Sequence, residues 1–259
     1  MRAWTVANQK GGVGKTTSAL ALASLLAARG QRVLLVDLDP HASLGHLLGV
    51  PQDPPPRGVF ELFDEPPPAP ATLLREVLPG RLWLLAAQPA LATLEKRSAS
   101  RSGMGQVLAR AMDALAPRFD HALFDCPPTL GVLMVNALAA CDRLIVPTQT
   151  EPLAVQGLAG MVRTATMIER SRGRPLPVDI LPTLHDRRPR VAQEALDAIL
   201  ASHTGRVFDG VVPMDTRLRE AGHLLAGDPA GTRGLAAYAS ALDWILARDA
   251  TPLAMEPAA

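Results

Sequence analysis

Short apolar segments alternate with longer stretches of helical character along most of the chain. The apolar segments run continuously, which is typical of strands covered on both faces in a parallel sheet. The predicted strands are residues 4–7, 33–36, 82–85, 122–124, 144–146 and 178–181. The predicted helices are residues 15–28, 105–114, 130–139, 154–171 and 191–201. This succession predicts an α/β fold, with a doubly wound, mostly parallel sheet, helices on both faces and ligands at the carboxyl ends of the strands.

The alternation predicts a single domain over residues 1–248. Two proline clusters, residues 51–56 and 66–70, flank the short apolar segment 59–63. Proline removes amide donors and breaks regular structure, so we expect a surface excursion there. A plain loop and a partner-binding polyproline segment are both open for it. Residues 249–259 contain two prolines and predict a flexible carboxyl-terminal tail.

The composition mainly excludes other classes of protein, such as secreted, disulfide-rich and membrane-spanning proteins. The chain has 26 Lys and Arg against 25 Asp and Glu, so no general attraction to DNA or anionic membranes is expected. Its two cysteines, Cys126 and Cys141, argue against a disulfide framework and fit a reducing cytosol. The first eight residues lack the layout of a signal peptide, and no apolar run of about twenty residues is present to span a bilayer. We therefore expect a cytoplasmic globular protein without a membrane partner.

The strongest chemical signal is a loop between the first predicted strand and the first predicted helix. It reads Lys10-Gly11-Gly12-Val13-Gly14-Lys15-Thr16-Thr17. Glycines let successive amides face one anion, and the helix amino terminus adds a favourable dipole. In such a loop Lys15 reaches the β- and γ-phosphates, and the Thr16 hydroxyl holds Mg²⁺. We therefore predict ATP and Mg²⁺ as ligands, with residues 11–17 binding the nucleotide.

Carboxylates follow two of the predicted strands at the same edge of the sheet. Asp37 and Asp39 end the second strand with a spacing of two, which places both on one face. Asp125 ends a later apolar strand, as the aspartate that holds magnesium in P-loop proteins does. We predict that Asp37 and Asp125 join Thr16 in the metal site. A strand-ending aspartate also commonly caps the next helix, and this alternative stays open for Asp37 and Asp39.

Residues 6–17, which read Val-Ala-Asn-Gln-Lys-Gly-Gly-Val-Gly-Lys-Thr-Thr, resemble the deviant Walker A loop of the ParA/MinD family of ATPases. The family carries an additional early lysine, here Lys10. The resemblance implies that Lys10 crosses an ATP-sandwich dimer to touch the partner's nucleotide, so that hydrolysis depends on dimerisation. It also implies that Asp39 orients the attacking water, which makes Lys10, Lys15 and Asp39 the predicted catalytic residues.

Later segments extend the resemblance. Residues 126–138 are similar to the family's Cys-Pro-Pro-Ser-Leu-Gly and Asn-Ala-Leu segments, and we expect this stretch to sense the γ-phosphate. Residues 211–221 are similar to a segment whose backbone lies against adenine in relatives, which implies that Pro213 and Met214 belong to the base pocket.

DNA-binding relatives use arginines of the dimer surface, and arginine clusters are the electrostatic footprint of a phosphate backbone. The predicted DNA contacts are Arg187, Arg188, Arg190, Arg217 and Arg219. Met214 stands where many such relatives have arginine, and Asp186 and Asp215 dilute the patch. A solvated arginine face therefore remains the alternative.

Within the family, residues 7–9, 134–136, 182–188 and 215–219 look most like a ParC-type subgroup encoded beside chemotaxis genes. That subgroup implies a chemosensory array as cargo and an array-associated adaptor as partner, often at cell poles. Chromosome or plasmid partition with a ParB-like activator is the alternative. A MinD-like membrane helix is disfavoured, because residues 234–247 lack a basic face.

Three other classes share the loop. Iron–sulfur reductases bridge a cluster between subunits with cysteines, but the usual cysteine spacing is missing here. Biosynthetic synthases for dethiobiotin and cobyrinate amides need a second substrate pocket, and the latter add a glutaminase domain. A nucleotide-gated binding module with negligible turnover would not need the lysines and the aspartate of the predicted catalytic set.

Overall fold

The computed structural model describes residues 1–94 and 104–250. Within them, seven strands form one sheet in the order β3-β4-β2-β5-β1-β6-β7, and only β3 runs antiparallel to its neighbour. The strands are β1 (Arg2–Val6), β2 (Val33–Asp37), β3 (Leu74–Leu78), β4 (Leu82–Leu85), β5 (His121–Asp125), β6 (Arg143–Gln149) and β7 (Val178–Thr183). This architecture confirms the predicted doubly wound, mostly parallel sheet.

Helices cover both faces of the sheet. They are α1 (Lys15–Ala28), α2 (Ser43–Leu47), α3 (Val107–Leu115), α4 (Val132–Ala140), α5 (Pro152–Arg172), α6 (Arg190–Ser202), α7 (Ala221–Leu225) and α8 (Arg233–Ala250). Short 3-10 helices include Phe60–Phe63, Met104–Gln106 and Thr216–Arg219. The five predicted helices are present with shifts of one or two residues at their ends.

Strand β2 shows how the sequence builds two cores. Val33 and Leu35 point into one core, whereas Leu34 and Val36 point into the other, because side chains alternate along a strand. Helices α1, α7 and α8 pack in the first core, and α3 to α6 pack in the second. All five residues of β2 are buried, as the continuous apolar run predicts.

The edge strand β3 is absent from the predicted elements. Its sequence, Leu-Arg-Glu-Val-Leu, exposes Arg75 and Glu76 and buries its other residues only partly. A search for continuous apolar runs finds strands that are covered on both faces, so it does not find an edge strand of this kind.

The predicted surface excursion is wrong for the apolar segment between the proline clusters, residues 59–63, which packs into the core. Val59, Leu62 and Phe63 are buried in the second core. A Cβ atom on Gly58 would collide with the Ala86 carbonyl oxygen, and the Val59 N–H donates to the same oxygen at 2.9 Å. The prolines lie largely at the surface, but the segment between them is docked against the end of β4.

The last helix passes the predicted domain boundary at residue 248. Helix α8 continues to Ala250, and the Asp249 carboxylate accepts hydrogen bonds from Arg143 Nε at 2.7 Å and Trp4 Nε1 at 3.2 Å. The remainder of the predicted tail, residues 251–259, lies outside the described residues. Among residues 1–94 and 104–250, no helix combines the length and apolar character needed to cross a membrane.

Candidate nucleotide site

The glycine-rich loop joins β1 to α1 at the carboxyl edge of the sheet. Gly12 and Gly14 have φ angles of 74° and 88°, in the left-handed region that favours glycine. Gly14 is the amino-terminal cap of α1. The Asn8 side chain accepts from the Lys10 N–H at 3.0 Å and donates to the Pro147 carbonyl at 2.8 Å. The loop is therefore fastened to β6 at its beginning and to a helix at its end.

Lys15 is the buried cation of the site. Its ammonium donates to the Lys10 carbonyl oxygen at 3.1 Å, inside the loop to which both residues belong. Burial lowers the pKa of Lys15, while the nearby carboxylates of Asp125 and Asp39 oppose the shift. A lysine held in this way presents its charge to whatever anion the loop binds.

Asp37 and Asp125 are cross-strand partners at the ends of β2 and β5. Asp37 is fully buried and accepts from the backbone N–H groups of Asp39 at 3.1 Å, Leu44 at 3.1 Å and Gly45 at 3.4 Å. Burial and the neighbouring Asp125 raise the pKa of Asp37 well above its usual range. Asp37 thus accepts hydrogen bonds from the first turn of α2, which agrees with the helix-capping alternative for strand-ending aspartates, and its role in a metal site stays a prediction.

The Asp125 carboxylate is the unsatisfied group of the site. Both of its oxygens are buried, and neither has a hydrogen-bond partner among the described residues. Burial raises the pKa of Asp125 to about 7, and the opposing influences are the Thr16 hydroxyl and the Lys15 charge. Thr16 therefore faces this carboxylate, although its hydroxyl does not reach hydrogen-bonding geometry.

These residues fit a magnesium ion. Among the described residues, no group of three or more His, Cys, Asp or Glu side chains could enclose a metal on its own. Mg²⁺ commonly takes one or two protein oxygens and completes its shell with water and phosphate. A buried, unpartnered carboxylate beside a threonine hydroxyl at a phosphate loop supplies such a pair.

Asp39 lies at the mouth of the site. Its Oδ1 accepts from the His41 N–H at 3.0 Å and lies 2.8 Å from the His41 ring Nδ1. The side chain is 14% exposed and lines the nucleotide cleft, so its second oxygen is available to a ligand or water in the cleft.

The nucleotide cleft, with a volume of about 390 Å³, brings most predicted site residues together. Those that line it are Gly11, Gly12, Gly14, Lys15, Thr16, Thr17, Asp39, Pro213, Met214 and Arg219. Val13 is buried behind the loop, and Asp37 and Asp125 are buried at the strand ends. Sequence reasoning missed Ser43, Thr183 and Tyr238, which also line the cleft.

Lys10 does not line this cleft. Its ammonium forms an ion pair with Glu151, the residue that caps α5. Both side chains are about one third exposed. The ion pair with Glu151 therefore holds the charge of Lys10 beside the phosphate loop. The sequence pattern gave no indication that Glu151 would be its partner.

The segment 126–138, expected to sense the γ-phosphate, reaches the cleft only in part: Pro128 lines the cleft and Asn136 does not. Asn136 is fully buried, and its side chain bonds to Met104 O, Val132 O and Leu108 N, so it supports α3 and does not face the cleft. Cys126 and Cys141 are buried, and burial raises the pKa of both thiols. Neither thiol reaches a surface from which a cluster could bridge two subunits.

The five predicted DNA-binding arginines do not share one environment. Arg188 pairs with Asp186 at 2.6 Å, Arg217 with Asp215 at 3.5 Å and Arg190 with Glu194 at 2.8 Å. Within the described residues, Arg187 and Arg219 have no ion-pair partner. Arg187, Arg188 and Arg217 line a second cleft of about 860 Å³, which shares residues 213–216 with the nucleotide cleft.

Comparisons with known proteins agree with this geometry. A family model described as an AAA domain matches residues 1–177. The chain is 38% identical over 256 residues to the chromosome-partitioning ATPase Soj of Thermus thermophilus, covering 96% of each protein. It is 35% identical over 216 residues to the chromosome partitioning protein ParA of Myxococcus xanthus, covering 83% of this chain and 76% of that protein.

A solved structure from Mycobacterium smegmatis, described as cobyrinic acid a,c-diamide synthase with a bound ATP analogue and magnesium, has a TM-score of 0.82. It is 33% identical in sequence, and the match covers 95% of this chain and 94% of that one. The matched family, the two partition relatives and the loop with its buried carboxylates lead to the same assignment. The chain belongs to the ParA/MinD family of P-loop ATPases.

Proposed function

We propose that this chain is a partition ATPase that closes into a dimer over two Mg·ATP molecules and hydrolyses them to position intracellular cargo. The observation that carries the proposal is the phosphate loop beside the buried Asp125 carboxylate, which has no hydrogen-bond partner among the residues that the structure describes. A buried carboxylate without hydrogen bonds is costly for the fold unless a ligand satisfies it. The presence of this carboxylate beside a phosphate loop supports a magnesium-dependent reaction.

The residues take the following roles. Thr16 and Asp125 hold the metal, with Asp37 as the third group of the metal site. Mg²⁺, when bound, neutralises charge on the phosphate oxygens. The amides of residues 11–17 and the Lys15 ammonium bind the phosphates, and Pro213 and Met214 lie on the base side of the cleft.

Asp39 accepts a hydrogen bond from the attacking water and orients it, because phosphoryl transfer needs positioning more than strong basicity. Lys10 leaves Glu151 and reaches the nucleotide of the partner protomer, where its charge stabilises the transferring phosphoryl group. Charges supplied in trans contribute on the order of 10³–10⁵ in rate in other phosphoryl-transfer enzymes. Hydrolysis is therefore coupled to dimerisation.

The test is the oligomeric state measured by light scattering with ATP, ADP and no nucleotide. We expect Asp39→Ala to accumulate as a dimer with ATP, because it binds but does not hydrolyse. Lys10→Ala should bind ATP and lose turnover, whereas Arg75→Ala, which removes an exposed charge on β3 and does not line the cleft, is the control. An Asp39→Ala protein that stays monomeric at saturating ATP would overturn the dimer proposal.

Nonspecific DNA is the proposed track for this dimer, and Arg187 and Arg219 are its most available contacts. Replacing both by alanine should reduce the slope of log affinity against log salt by about 2, since each neutralised phosphate contributes about 0.9. Arg75→Ala is the control, because Arg75 is exposed on β3, at the opposite edge of the sheet from β7. A DNA affinity of the ATP-bound dimer that does not change with salt concentration would contradict a phosphate-backbone interface.

The cargo is proposed as a chemosensory array bound through an adaptor, with chromosome or plasmid partition through a ParB-like activator as the alternative. The protein then acts in the cytoplasm, either on the nucleoid or at a cell pole. Stimulation of the ATPase by a ParB-type amino-terminal peptide would favour partition. Stimulation by an array-associated adaptor would favour the array.

A biosynthetic ATP-dependent synthase is the second candidate, because one similar solved structure is described as a diamide synthase. Such an enzyme needs an acceptor pocket that opens onto the phosphates. Among the described residues, the apolar cavity of about 420 Å³ is lined by the segment 62–70 and by α3, and it shares no lining residue with the nucleotide cleft. ATP turnover stimulated by cobyrinic acid and glutamine would favour the synthase.

A further inference from the structure

One hydroxyl outside the predicted site is bonded to the phosphate loop itself. Thr183, the last residue of β7, donates from Oγ1 to the Val13 carbonyl oxygen at 2.8 Å. Thr183 is 1% exposed and Val13 is fully buried. Strand β7 lies at the edge of the sheet opposite β3 and is separated from β1 by β6. The contact is therefore made by the fold, between residues that are distant in sequence.

Val13 lies where the loop backbone has the least intrinsic restraint. Gly12 and Gly14 flank it with positive φ angles, and glycine adopts either sign of φ with similar ease. In a planar trans peptide, the carbonyl and the following N–H point in opposite directions. Holding the Val13 carbonyl against β7 thus fixes the direction of the Gly14 N–H. A phosphate cradle depends on such amides facing one anion.

The same strand end is bonded to the base side of the cleft. Leu184 has a φ of 52°, a left-handed conformation that a leucine keeps only where its surroundings impose it. The His185 N–H donates to Val212 O at 3.1 Å, and the His185 carbonyl accepts from Met214 N at 3.2 Å. The end of β7 therefore connects the phosphate loop with the segment that lies on the base side.

We propose that Thr183 is a positioning residue for phosphate recognition, whose hydroxyl holds the Val13–Gly14 peptide in the orientation that binds the β-phosphate. The proposal rests on the nucleotide binding proposed above. Thr183→Val exchanges the hydroxyl for a methyl group of similar size and leaves the Val13 carbonyl without a donor. We expect binding of ADP and ATP to weaken about three- to tenfold, the range that one hydrogen bond contributes. Binding of AMP should not change, because AMP has no β-phosphate.

The measurement is calorimetric titration of ADP and ATP with Mg²⁺, and of AMP by competition against fluorescent ADP. Thr183→Ser keeps the hydroxyl and should restore wild-type affinities. Equal affinities of wild type and Thr183→Val for ADP would overturn the proposal, as would equal weakening for all three nucleotides. A wild-type protein that binds no nucleotide would instead overturn the proposed function. Should Thr183→Val fail to fold, Thr183→Ala must show the same selective loss.

Discussion

Replacing Asp125 by asparagine should stabilise the nucleotide-free protein, although it removes a residue proposed for the metal site. Burial raises the pKa of Asp125 to about 7, against an ordinary value of 3.8. A protein in which a carboxyl group binds its proton more tightly in the folded state becomes less stable as pH rises from the unfolded-state pKa to the folded-state pKa. The difference of about 3 in pKa corresponds to about 4 kcal/mol at 1.36 kcal/mol per pKa unit.

The expected result is therefore a difference that grows with pH. At pH 4, Asp125→Asn and wild type should unfold with similar free energies, because the wild-type carboxyl is protonated in the folded state. From pH 4 to pH 7 the variant should gain up to about 4 kcal/mol over wild type, and above pH 7 the gain should stay constant. Urea unfolding in EDTA at several pH values measures this directly.

Asp120, near the start of the same strand, provides a control of opposite sign. The Arg32 N–H and guanidinium hold the pKa of Asp120 below its usual range, so ionised Asp120 stabilises the fold. Asp120→Asn should therefore be less stable than wild type at every pH above about 4, with a deficit that shrinks as pH falls below 3.8. A difference between Asp125→Asn and wild type that does not vary from pH 4 to pH 8 would refute the reasoning about the buried carboxylate.

Two further predictions concern the lysine contact and the docked proline segment. Glu151→Gln should strengthen ATP-dependent dimerisation, because loss of the ion pair releases Lys10. The gain should reach at most about fivefold, since an exposed ion pair contributes at most about 1 kcal/mol. Weaker dimerisation of the variant in sedimentation experiments would contradict this. Gly58→Ala should lower the free energy of unfolding by about 1–3 kcal/mol, because its new methyl group meets a backbone carbonyl. Gly105→Ala, where a Cβ meets nothing within 4 Å, should leave urea unfolding nearly unchanged.

The fold was predictable where burial is uniform. Strands β2 and β5 are continuous apolar runs because helices cover both of their faces, and the sequence shows this directly. Strand β3 and the five-residue helices α2 and α7 were not predictable. Strand β3 mixes charged and apolar residues, whereas α2 and α7 are each five residues long and contain a glycine. None of the three segments carries a periodic pattern long enough to predict its conformation.

The phosphate loop was predictable because its chemistry is local. A glycine that must adopt a positive φ and a lysine that begins a helix are neighbours in sequence, so the pattern shows both. The partners of that loop are not local. Thr183 reaches Val13 across 170 residues and Tyr238 reaches Ser18 across 220, and neither residue type nor spacing marks them in advance.

The free site carries more negative charge than its own cation satisfies. Lys15 directs its ammonium to a backbone carbonyl, while the Asp125 carboxylate has no hydrogen-bond partner among the described residues and raises the pKa of its neighbour Asp37. In the proposed metal site, ionising both carboxylates costs free energy that a bound divalent cation would return, so part of the affinity for Mg²⁺ would be stored in the fold before any ligand arrives. The same electrostatic cost makes the proton a competitor of the metal below about pH 7. In the proposed metal site, such an acidic pair would favour a nucleotide that arrives with its metal over one that arrives without it.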